Sequence, residues 1–279
     1  MTDDAAGRRP ASANHAQGLA RALGGALLFG FPLMMTMEMW WLGFYLDRPR
    51  LLILLLVTIA TLVPLSYFVG FERTGTLIED AVDALVAFAI GVVASAAMLM
   101  IFGVIGPDMS GDEIIGKIAI QAVPASIGAV LARGQFGGQT SDSKEKQDRA
   151  GFGGQLFIAA AGAIFLSLNV APTEEVVLLA YKLTPARAIL LVLLSIAVLH
   201  AFVYALDFAG TEELSDDVPR PIAMVRQGTA EYGLAVLISA YMLWTFGRMD
   251  GAGLQEIVMM IVVLGFPASI GAAAARLVI

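Results

Sequence analysis

Glu38 is the only charged residue in FPLMMTMEMWWLGFYL, residues 31–46. An ionised carboxylate within hydrocarbon is expensive, and it faces protein or water rather than lipid. A shift of 137 residues superimposes Glu38 on Glu175, which stands beside Glu174 in APTEEVVLLAY. Two carboxylates brought together favour a bound cation, or raise each other's pKa until one keeps a proton at neutral pH. Asn169 and Thr173 add neutral oxygens suited to a hard cation. Pro32 and Pro172 break helices nearby and free backbone carbonyls. The predicted ion or proton site is therefore Glu38, Glu175, Glu174, Asn169 and Thr173, with Glu38 roughly 11 Å inside its helix. Whether the ion is a metal is left open. The plainer reading pairs each glutamate with a neighbouring Arg or Lys, or with the indoles of Trp40 or Trp41.

A second acidic group lies in TGTLIEDAVDALVAFAIG, where Asp80 and Asp83 are spaced i, i+3 and share a helix face. Glu79 is adjacent, and Glu231 in RQGTAEYG is expected near the same depth. Asp80, Asp83 and Glu231 read as a cytoplasmic vestibule for cations or protons. The bland alternative is acids set against a helix dipole and paired with Arg73 or Arg226. His200 has no counterpart under the shift, since it aligns with Val63; it is a candidate relay or a helix–helix hydrogen bond.

VPASIGAVLAR at 123–133 returns as FPASIGAAAAR at 266–276. Small residues at spacing four, Ala125 with Ala129 and Ala268 with Ala272, let helices approach closely. Pro124 and Pro267 leave a carbonyl unpaired one turn earlier, and Ser126 and Ser269 supply hydroxyls. Helix packing or pore lining follows. Methionines at 34, 35, 37 and 39 read as adaptable packing rather than a copper site. Arg50 and Arg187 also match under the shift and read as interface anchors. No Walker loop, dinucleotide glycine pattern, GxSxG elbow or HExxH occurs, so neither an enzyme nor a cofactor is expected.

The elements that must carry these residues follow from composition. Of 279 residues 58% are hydrophobic and 15% charged, against about 25% charged in a soluble domain. There is no cysteine and no basic stripe, which excludes thiolate sites and nucleic acid as a partner. Eight segments, 22–46, 51–71, 77–105, 113–133, 152–182, 187–207, 227–247 and 253–275, reach the roughly 20 apolar residues a spanning helix needs. The matches at shifts of 137 and 143 keep the same order in both halves of the chain. Four spans per half return the chain to its starting side, so the halves are expected to be parallel repeats. The expected fold is an all-α transmembrane protein of eight helices in two four-helix repeats. Residues 1–20 read as a disordered cytoplasmic tail, 21–133 as the first repeat, 134–151 as a cytoplasmic linker and 152–279 as the second repeat. The larger share of Lys and Arg, including Arg73, Arg133, Lys144 and Arg226, falls on the side of both termini, which puts that side in the cytoplasm.

TMEMWWLGFY, APTEEVVLLAY and the paired PASIGA segments resemble a family of prokaryotic multi-pass membrane proteins of unknown function. The resemblance implies an eight-helix integral membrane protein and no particular activity; the expected location is the inner membrane of a bacterium or archaeon. The residues themselves point to a transporter or channel for cations, with or without proton coupling. Its partners would be the lipid bilayer, an inorganic cation or proton, and a second copy in a homo-oligomer. The alternative is a non-transporting scaffold or sensor working through the linker.

Overall fold

The structure is a computed structural model and describes residues 11–69, 76–136, 151–205 and 220–278. Those residues form ten helices and no strand: α1 (Ala11–Met34), α2 (Met37–Tyr45), α3 (Arg48–Val69), α4 (Leu77–Ile101), α5 (Gly111–Phe136), α6 (Phe152–Val170), α7 (Glu174–Lys182), α8 (Pro185–Ala205), α9 (Arg220–Thr245) and α10 (Leu254–Val278). The order long, short, long, long, long occurs twice. Two expected spans, 22–46 and 152–182, are not continuous helices. The first is α1 and α2, bent by 86°; the second is α6 and α7, parted at Ala171–Thr173. The Ala-rich stretch from Ala11 to Ala20, read as tail, already belongs to α1, as its good helix formers favour. Residues 1–10 and most of the expected linker, 137–150, lie outside the described residues.

Six described helices, α3, α4, α5, α6, α8 and α10, are long and apolar enough to cross a membrane, or seven spans if α1 and α2 count as one. The difference from eight is α9. At 26 residues it is long enough, but Gln227, Glu231 and its tyrosines dilute the apolar run.

Local chemistry sets the helix ends. Thr76 caps α4 through a capping box, its hydroxyl accepting from the Glu79 N–H at 3.3 Å while the Glu79 carboxylate accepts from the Thr76 N–H, so the first-turn donors are satisfied. Thr184 accepts from the Arg187 N–H at 3.4 Å ahead of Pro185, a residue suited to the first helical position. Both α4 and α9 end on a left-handed glycine, Gly103 at φ +68° and Gly247 at φ +70°. The following amides return to Leu99 O and Leu243 O at 2.9 Å, which makes each end a Schellman turn.

Each half packs around its last helix. At the PASIGA glycines α5 and α10 are each crossed at close range by the first helix of their half. A Cβ on Gly128 would lie 2.4 Å from Gly25 O of α1, and one on Gly271 would lie 2.3 Å from Gly162 O of α6. Only glycine allows either crossing. Gly116 likewise admits α2 at Gly43. As a result α5 is the most enclosed spanning helix, with 78% of its apolar window buried, against 17% for α8.

Candidate functional site

The breaks α1–α2 and α6–α7 decide where the predicted glutamates stand. A helix end leaves its last carbonyls without amide partners, and here side chains supply them. Thr36 donates its hydroxyl to Leu33 O at 2.9 Å, and Thr173 donates to Val170 O at 2.8 Å. The Trp40 indole donates to Met34 O at 2.7 Å, and the amide of buried Gln121 on α5 donates to Leu33 O at 3.4 Å. Both threonines occupy the position before a nine-residue helix, with extended backbone. The chain then restarts with Glu38 in the first turn of α2, and Glu174 and Glu175 in the first turn of α7. Acids in that turn interact favourably with the helix dipole.

The expected placement of Glu38 and Glu175 within continuous helices is thereby corrected. Glu38 is half-buried, while Glu174 and Glu175 are exposed. Glu174 pairs with Arg248, which also donates to Pro172 O at the break. Asn169 turns its amide back on Phe165 O at 2.8 Å, as Thr173 does on Val170. No described contact brings Glu38 to Glu175. Among the described residues there is no group of three or more His, Asp or Glu placed to hold a metal ion.

Other acids are the ones taken into the protein. Asp80 is 2% and Asp83 5% exposed on α4, and Glu231 is 0% exposed on α9. Gln227 joins the second group, donating to Glu231 Oε1 at 3.2 Å and to Gln155 on α6. His200 lies on α8 against Gly228, where a Cβ would fall within 2.4 Å of its ring; its Nδ1 is 2.8 Å from Ile196 O. Asp80 and Asp83 therefore belong to one half, while Glu231 and His200 belong to the other. Pro124 and Pro267 lie inside α5 and α10. The buried Ser126 and Ser269 donate to Val123 O and Phe266 O at 2.8 and 2.7 Å.

Lys117 was not singled out from the sequence, yet it is only 7% exposed. It pairs with Glu113 at 2.6 Å and donates to Val104 O at 3.3 Å. Gln121, Gln155 and Gln227 were missed as well. The available signal was the same for all four, a polar side chain inside an apolar helical run.

The architecture is that of an integral membrane protein of several apolar helices, and a family of such proteins with unknown function, DUF2391, matches residues 18–279. The chain belongs to this family. No curated protein and no solved structure matches it.

In this DUF2391 protein the two halves meet along a thin seam. At one end Arg50 of α3 donates to both oxygens of Asp250 at 2.8 and 2.9 Å and lies 5.3 Å from the Trp244 ring centroid. That hydrogen bonding holds the Asp250 carboxyl below its ordinary pKa. Farther along, Phe68 stacks on Phe157 with centroids 6.2 Å apart, and Phe29 meets Phe165 edge-on at 5.3 Å. Beside Phe29 and Phe165 the halves enclose an apolar cavity of about 140 Å³, walled also by Leu65, Ile127 and Gly271.

Proposed function

We propose that this chain moves a cation or a proton across the cytoplasmic membrane of a bacterium or archaeon. In this reading both termini are cytoplasmic and the halves are parallel repeats. The observation that carries the transport reading is Glu231, a carboxyl with no exposed surface in a bundle of apolar helices. Ionisable groups inside a membrane bundle mark ion and proton routes by default. Gln227 donates to it from one turn back on α9 and also to Gln155 of α6, so a chain of polar groups reaches it from a second helix. Asp80 and Asp83 would serve the first half in the same way. Glu38 and Glu175 take the lesser role of first-turn acids that attract cations at the opposite mouth.

Support for the repeats comes from matched hydroxyls. Thr58 and Ser195 each donate to the carbonyl four residues back at 2.7 Å, at an offset of 137. Ser126 and Ser269 do the same three residues back, at an offset of 143.

The test is flux of protons and alkali cations in proteoliposomes, for wild type and for Glu231→Gln and Asp83→Asn proteins that remain monodisperse. Loss of flux in the variants is expected. A wild type that carries no such flux, or variants that carry it unchanged, ends the transport reading. The scaffold reading would then stand, with the acids acting on stability alone.

A further inference from the structure

Helices α3 and α8 correspond residue by residue at an offset of 137, yet they are buried differently. Leu51, Thr58 and Leu62 are buried, and so are Ala188, Ser195 and Leu199. Leu52 and Leu56 are exposed, and so are Ile189 and Leu193. Those two faces agree. The third does not. Leu54, Thr61 and Leu65 are buried on α3 at 1%, 8% and 0% exposure, whereas Leu191, Val198 and Phe202 are only half-buried. Val57 and Pro64 are half-buried, whereas Leu194 and Ala201 are exposed. The spacing i, i+3, i+7, i+10, i+11 makes one helical stripe.

On α3 this stripe runs down to the seam, where Leu65 walls the cavity shared with Phe165 and Gly271, and α3 touches α6 and α9 as well as α4 and α5 of its own half. Among the described residues α8 packs on α9 and α10 of its own half and has no comparable packing on any of α1 through α5. Alongside contacts of α5 with α6 and α10 and of Phe29 with Phe165, the joint therefore has a head-to-tail part, one half's third helix seated on the other half's first and fourth. A joint of that kind leaves one donor face and one acceptor face unused, and it is completed by closing a ring.

We propose that a second copy of the chain covers the α8 stripe, seating it on its own α1 and α4. Charge at the end of the stripe agrees. Where Arg50 meets Asp250 and Trp244, Arg187 is exposed. The loop between α4 and α5 offers exposed Asp108, as the loop between α9 and α10 offers Asp250. Met100, which aligns with Trp244, is 65% exposed against 36%. The smallest closed ring is two chains, four halves around one axis. The inference uses only the correspondence of helices and is independent of the transport reading.

The chain has no cysteine, so paired thiols can be placed cleanly. Arg187→Cys together with Met100→Cys, diluted in lipid vesicles and mildly oxidised, should give a disulfide-linked band at twice the 29.4 kDa of the chain. Leu193→Cys with Met100→Cys should not, because Leu193 lies on the face left bare on both helices. Arg187→Asp should weaken the dimer and Asp108→Arg in the same chain should restore it, read by native mass measurement. Monomers carrying only bound lipid, equal cross-linking through Leu193, or a dimer indifferent to both charge reversals would overturn the proposal.

Discussion

The two halves share a skeleton and differ in what fills it. In the first, α5 carries Gln121 and Lys117, one tied to the α1 break and the other to Glu113. At an offset of 143, α10 has Leu264 and Met260, both buried. In the second half the polar group stands at the other end, where Gln155, Gln227 and Glu231 join α6 to α9. Helix bounds and turns keep step regardless. Glycine crossings, threonine breaks and Schellman ends therefore set the skeleton, and buried polar groups are local additions to it.

The hardest test of that likeness is at the crossings. Gly128→Val and Gly271→Val each drive a side chain into a backbone carbonyl that cannot give way, so each should cost about 3 kcal/mol or more, read by thermal unfolding in detergent. A protein that tolerates one and not the other would break the comparison. Next is the ion pair of the first half. Glu113→Ala leaves a buried ammonium with Val104 O but without its carboxylate and should cost about 2 kcal/mol, whereas Lys117→Met copies Met260 and should stay within about 1 kcal/mol of wild type. The same unfolding curves decide it. If Lys117→Met is as harmful as Glu113→Ala, Lys117 is part of the skeleton.

Smaller effects come from the breaks and the seam. Thr36→Val and Thr173→Val each remove one hydrogen bond to a helix-end carbonyl, so about 1 kcal/mol apiece is expected, equal in both halves. Asp250→Asn should cost under about 1 kcal/mol, because the carboxylate is largely exposed and water screens the pair. Since the folded protein holds the Asp250 carboxyl low, its contribution is present above the ordinary carboxylate pKa and fades as pH falls through the lower folded value. Melting curves of wild type and Asp250→Asn should therefore converge in acid; curves that stay parallel would remove Asp250 from the seam.

The helical class, the membrane setting and the family were legible because apolar runs and the PASIGA pair are long-range patterns. The helix break before Glu38 was not. MMTMEM reads as continuous helix by hydropathy, yet Thr36 satisfies a carbonyl of the helix before it and the next helix begins at Met37. Thr-x-Glu at both 36–38 and 173–175 was the available clue, a break residue followed by a first-turn acid. Lys117 and Gln121 escaped notice because their meaning depends on partners at Val104 and Leu33, which periodicity along one helix does not reveal.

The right-angle turn after α1 has a mechanical consequence. It lays α2 sideways with Trp41, Phe44 and Tyr45 facing outward, each more than half exposed, and aromatic rings of that kind settle at headgroup level. At that level the short helix would act as a ledge along the membrane surface. A thinner bilayer would load that ledge before it strained any crossing helix, and the load would pass straight to the joint at Thr36.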